Sequence, residues 1–225
     1  MVDGNSKRWS QSIEAAAIAG LAFALLSVIA LTLQSTRPPL TATDAEMIAW
    51  YSDAGNRTGM AVGLSLFVFA AVAFLWFMAV IRRRVGTRHD RFIATVFLGS
   101  GILIAGVMVV AASAVATPAV IVHLSDGVVP DPGSLNVLTG FGSTLALFVL
   151  VRFQAVFIVT VSTLALRTSA FNRWLSYLGF AMGFAMFVLP SVTDPNGLAF
   201  PAWVGVLSVA LFFRRRELVP DTTVE

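Results

Sequence analysis

Six apolar runs, at about 13–33, 58–81, 92–117, 143–166, 174–190 and 197–213, dominate this chain, and two of them stop at three consecutive arginines. In hydrocarbon a backbone polar group has no water to bond, so a crossing segment must satisfy its own N–H and C=O groups, which a helix does. Each crossing of roughly 30 Å takes about 20 apolar residues, so six use about 120 and leave about 105 for loops and tails, too few for a second folded domain. Composition agrees: 57% of the 225 residues are hydrophobic and 12% charged, whereas soluble domains are roughly a quarter charged. Mean hydropathy is +0.85. The expected fold is all-α: a polytopic six-helix transmembrane bundle over residues 1–217, with a polar tail over 218–225.

The first run follows Lys7, Arg8 and Trp9 and could be mistaken for a secretion signal. It is longer than the roughly 7–15 residues of a signal core, and Leu33-Gln34-Ser35-Thr36-Arg37 offers no small-residue cleavage site. It therefore reads as a retained span. The second and third runs form a hairpin around Arg82-Arg83-Arg84, the third ending at Thr117 before Pro118. The fourth is harder to bound, because 135–166 exceeds one bilayer and contains Arg152. Counting back about 20 residues from Arg167 places its main part at 147–166, with an extension through Gly142.

Orientation follows from the loop charges. Twelve of the fifteen Lys and Arg residues fall on one side: Lys7, Arg8, Arg82, Arg83, Arg84, Arg88, Arg91, Arg167, Arg173, Arg214, Arg215 and Arg216. Two, Arg37 and Arg57, fall on the other. The positive-inside rule then predicts a multi-pass protein of the plasma membrane with both termini cytoplasmic.

In the first outer loop, Thr43 with Glu46 spells a capping box, and Met47, Trp50, Tyr51 and Ala54 recur at i, i+3, i+4 and i+7. The pattern predicts a short outer amphipathic helix over 43–54, lying flat on the surface or capping the bundle.

Chemistry-bearing residues are few. The chain has no cysteine, which removes thiolate catalysis, disulfides and cysteine metal sites. His89 and His123 fall on opposite sides of the membrane, so no two-histidine metal or haem centre is expected within one subunit. His123 with Asp126 and Asp131 reads as a solvated turn. Ser143 follows Gly142, but its own helix has no histidine and no nucleophile motif surrounds it. No metal, no cofactor, no catalytic residue and no nucleic-acid partner are expected. Gly59-x-x-x-Gly63, Gly179-x-x-x-Gly183, Ala15, Ala19, Ala111, Ala112 and Ala114 are small enough for close helix approach within a subunit; a homo-oligomer or partner seam is the alternative. Asn56-Arg57-Thr58 fits a glycosylation sequon but abuts the second run.

Arg152 is the one charge placed well within a span, about 22 Å along the helix from Arg167. It either snorkels to the outer headgroups or turns inward onto an outer acid or carbonyl. Asp194, held between Pro190 and Pro195 in the last outer turn, is the first choice of partner. Arg152 and Asp194 thus form the candidate intramembrane polar site.

Trp50-Tyr51-Ser52-Asp53, Phe74-Leu75-Trp76-Phe77 and Leu166-Arg167-Thr168 followed by Arg173-Trp174-Leu175 stand in an order that resembles multi-span membrane proteins of the domain-of-unknown-function type common in actinobacteria. That resemblance implies the fold and no activity. Two functions stay open. The first, favoured because the midplane is nearly all Ala, Val, Leu, Ile and Phe, is a non-enzymatic membrane component, an accessory, assembly or lipid- or partner-interacting subunit, and a closed apolar interior would support it. The other is a small transporter or ligand-binding bundle for an anionic or amphiphilic molecule, which a polar cavity around Arg152 favours.

Overall fold

The computed structural model describes residues 3–84, 91–168, 173–189 and 195–218, and among these no strand occurs. The elements are α1 (Asp3–Ser35), α2 (Asp44–Ser52), α3 (Ala54–Arg84), α4 (Arg91–Leu124), α5 (Pro132–Thr144), a π-helical segment (Leu145–Leu150), α6 (Val151–Thr168), α7 (Arg173–Val188) and α8 (Pro195–Leu218). From α5 to α6 the helix is continuous. Among the described residues, four stretches are long and apolar enough to cross a membrane: Ala15–Ser35, Ala54–Arg82, Arg91–Leu124 and Pro132–Thr168. Arg173–Val188 and Gly197–Phe213 are apolar but shorter. Large apolar side chains cover the outward faces, among them Ile18, Leu25, Phe69, Trp76, Phe92 and Phe184. An exposed apolar surface of this extent suits lipid and not water.

Lipid tails are as apolar as leucine, so helices in a membrane are held by close packing rather than by escape from water. α1 packs on α3 and α8, α3 on α4, α4 on the continuous fourth helix, and α7 on α6. Glycines mark the tight crossings. A Cβ on Gly63 would meet Ala30 O of α1 at 3.4 Å, and one on Gly183 would meet Ala155 O of α6 at 3.2 Å. In the middle, Phe23, Phe74, Phe97, Phe157 and Phe200 tie α1, α3, α4, α6 and α8 together. Ring centroids are 5.1 Å apart for Phe23 and Phe74, 5.2 Å for Phe74 and Phe157, and 5.0 Å for Phe97 and Phe157.

The capping box is present: Glu46 N–H donates to Thr43 Oγ1 at 3.3 Å, and Thr43 N–H donates to Glu46 Oε2 at 2.8 Å. The helix expected over 43–54, however, stops at Ser52. Arg57 closes it by donating to the Tyr51 and Ser52 carbonyls, each at 2.7 Å, a cation set on a helix C-terminus. Asp53 then accepts the Asn56 N–H at 2.8 Å. The next helix consequently opens at Ala54 rather than at 58. Met47 and Tyr51 are buried in a small cluster with Met60, Val115, Ala119 and Leu135. α2 is therefore docked on the end of the bundle instead of lying apart from it, and that end is called the α2 end below.

Two other boundaries move. α4 passes through Pro118 to Leu124, beyond the expected stop at Thr117. A proline inside a helix removes the bond to the carbonyl four residues back, here that of Ala114, a loss that packing among neighbouring helices can tolerate; Pro118 is buried, and Thr117 Oγ1 adds a bond to the adjacent Ser113 O at 2.7 Å. The fourth helix starts at Pro132, not 143, because Asp131 N-caps it by accepting the Ser134 N–H at 3.0 Å. Proline in the first turn loses no needed bond.

Candidate ligand cavity

Residues of α1, α3, α4, the π segment and α8 together line a cavity of about 620 Å³. Its walls are apolar and partly small: Leu31, Phe67, Met108, Ala112, Ala146 and Leu150 all contribute. Phe23 lines its deep end and belongs to the ring cluster, so aromatic packing underlies the cavity. The π segment supplies Ala146, Leu147 and Leu150 to the wall. A π turn replaces the i→i+4 ladder by i→i+5, and such bulges recur at functional sites.

Polar side chains occupy two levels. At the mouth, Arg37 Nη1 donates to Gln34 O at 3.0 Å and Nη2 donates to Ser143 Oγ at 3.3 Å. The guanidinium thereby rests on the carbonyl end of α1, where a cation is favoured, and reaches across to α5. Beside it, Gln34 is 6% exposed and its Nε2 has no partner. Tyr51 of α2 lies close enough to feel this charge. Burial raises its phenol pKa above the usual tyrosine value, while the Thr139 hydroxyl and Arg37 pull it down.

The second level lies deep in the cavity, next to the aromatic floor. Ser27 follows Phe23 by one turn of α1, and Gln154 precedes Phe157 by one turn of α6. Both line the cavity. Ser27 is 1% exposed with its hydroxyl oxygen unpartnered, and Gln154 is 7% exposed. A buried polar group left without a bond costs roughly 1–3 kcal/mol, so Ser27 is not explained by packing, and Gln154 adds a buried amide to the same lining.

Arg152 stands elsewhere. It is half-buried, absent from the cavity lining, and its Nη1 donates to Met186 O at 3.0 Å in the last turn of α7. This is again a cation on the carbonyl end of a helix. Asp194 and His89 lie outside the described residues. His123 is exposed in the last turn of α4 rather than in a loop, and Asp131 is engaged in capping α5. Asp126 (φ +52°) and Gly127 (φ +87°) make the tight left-handed turn between α4 and α5. Among the described residues, no three His, Asp or Glu side chains are grouped as metal ligands would be. Ser143, weighed above as a nucleophile, accepts the Arg37 hydrogen bond.

Ser27, Gln34, Arg37 and Gln154 belong to no motif and are not among the residues expected at a site. Ser27 and Gln34 are seven residues apart and return to one face of α1, a polar seam in an otherwise apolar helix. Ser143 and Gln154 stand eleven apart, but the π segment between them breaks the α-helical spacing. No family model matches the chain, and no curated protein or solved structure matches it.

Proposed function

We propose that this protein is a six-span membrane protein, with both termini cytoplasmic, that binds an anionic amphiphile from the outer leaflet. The observation that carries the reading is the cavity, with its apolar wall and the Arg37 guanidinium at its mouth. Its volume falls within the roughly 300–1,000 Å³ of small-molecule sites. An arginine offers a planar set of donors suited to carboxylate or phosphate, and the apolar wall suits an acyl chain. The lysine and arginine bias supports the orientation that puts Arg37, α2 and the mouth outside. α7 and α8 count as the fifth and sixth spans in this reading; short apolar helices fit where the bilayer thins around them.

A closed apolar interior was the ground for an accessory subunit, and the cavity weighs against it. The polar groups surround Arg37 rather than Arg152, so the ligand-binding alternative is kept with its anchoring residue changed. Aromatic packing beneath the cavity favours binding over a continuous path across the membrane.

The test uses purified protein in lipid nanodiscs, with thermal unfolding followed against dodecanoate, dodecanol and dodecylamine. Dodecanoate should raise the melting temperature most. Arg37→Gln should remove the preference for the acid, and Ala146→Phe, which fills the cavity, should abolish the response to all three. An equal response to all three ligands, or one that survives Ala146→Phe, overturns the proposal.

A further inference from the structure

Among the described residues, most span hydroxyls resolve their hydrogen bonding locally. Thr32, Ser65, Ser100, Thr117, Thr160 and Ser208 each donate to the carbonyl four residues back. Ser27 does not, although Phe23 O stands at the same spacing, and its buried oxygen has no partner. Two other span hydroxyls share that state, Ser162 and Ser176, and they meet Trp203 around a separate void of about 10 Å³, room for one water. Ser27 instead lines the large cavity, together with Gln154, whose amide carries two donors and one acceptor.

We infer that Ser27 and Gln154 form a second polar subsite that reads an oxygen on the distal part of the ligand. The inference rests on the amphiphile reading and specifies its substrate class: a single-chain acid that is oxygenated far from its head. Ser27 stands eight residues before the end of α1 at Ser35, about 12 Å at the helical rise, and Arg37, just beyond that end, folds its guanidinium back onto Gln34 O. Between the two levels the wall offers apolar side chains such as Leu31, Phe67 and Leu150. A ligand with an anion at one end, a hydroxyl or carbonyl at the other and methylenes between them matches this order of surfaces. A plain acyl chain would bury the Ser27 and Gln154 groups against methylenes and leave them unsatisfied, which is the arrangement a site uses to reject the deoxygenated analogue.

Affinities of ω-hydroxydodecanoate and dodecanoate are compared by calorimetry in nanodiscs for the native protein, Ser27→Ala, Gln154→Met and Arg37→Gln. Melting temperatures of the unliganded variants report folding. The native protein should favour the hydroxylated acid about tenfold, the worth of one net hydrogen bond. Ser27→Ala and Gln154→Met should bring the ratio close to one without weakening dodecanoate. Arg37→Gln should weaken both acids and keep the ratio. If dodecanoate binds at Arg37 but the native ratio is one, or if Ser27→Ala leaves a preference intact, the subsite serves only buried water and this inference fails alone. If neither acid binds the folded native protein, the amphiphile reading fails with it.

Discussion

Glycines that look alike in the sequence separate sharply once their surroundings are known. A Cβ on Gly142 would lie 2.7 Å from Ala111 O and 2.8 Å from Val115 N, both backbone atoms of α4 that cannot swing away. A Cβ on Gly140, two residues earlier in the same helix, meets nothing within 4 Å. Gly142→Ala should therefore destabilise the protein by about 1–3 kcal/mol, the usual penalty of overpacking. Gly140→Ala should be neutral or stabilise by up to about 1 kcal/mol, because alanine restricts the unfolded chain and favours helix. Thermal unfolding of the two variants in one detergent checks the contrast; equal shifts would mean that α4 and α5 are not in contact at Gly142. The arginines divide in the same manner: Arg37, Arg57 and Arg152 each sit on the carbonyl end of a helix, and only Arg37 also faces the cavity.

α2 is the element whose docking can be followed by pH. Hydrogen bonds from the Thr43 backbone and then its side chain hold the Glu46 carboxyl below the usual glutamate range. A depressed carboxyl contributes stability that is complete above its unfolded value and is lost as pH falls through its folded value. Tyr51 behaves in the opposite sense. Its phenol is raised chiefly by burial, so its contribution is complete below the unfolded value, near 10, and is lost as pH rises through the raised one. Limited proteolysis of the 36–58 region should thus be slowest near neutrality and faster toward both extremes. Glu46→Gln should flatten the acid side and Tyr51→Phe the alkaline side. Met47→Ser should accelerate cleavage at every pH, since Met47 is 2% exposed and its burial does not titrate. Cleavage that ignores Met47→Ser would contradict the docking of α2 on α3, α4 and α5.

For the whole molecule the testable quantity is orientation. The native chain has no cysteine, so single cysteines report position without background. With the termini cytoplasmic, cysteine in place of Asp126 should react with an impermeant maleimide on intact cells, and cysteine in place of Asp90 should react only after lysis. Labelling at Asp90 in intact cells would invert the topology and put the cavity mouth on the cytoplasmic side.

Helices long and apolar enough to cross a membrane, an all-helical build and the capping box at Thr43 and Glu46 were all legible in the amino-acid sequence. These depend on local requirements: backbone bonds satisfied within a segment, enough length to cross hydrocarbon, and a side chain able to reach its own helix end. Helix ends were legible less well where a cap lay beyond the apolar run, as at Asp53 and Asp131, because a capping residue is polar and reads as loop. Which faces meet depends on contacts between helices. In a soluble helix the buried stripe differs in polarity from the exposed one, but α4 is apolar on every side, and both its neighbours and lipid are apolar too. No periodicity then marks the inside. Ser27, Gln34, Arg37 and Gln154 were visible as residues, yet nothing local said that α1 and the fourth helix would turn them into one cavity. Arg152 stood out because a charge in hydrocarbon is costly. It lies along the carbonyl end of α7, away from the cavity, because the packing of α6 against α7 chose that direction.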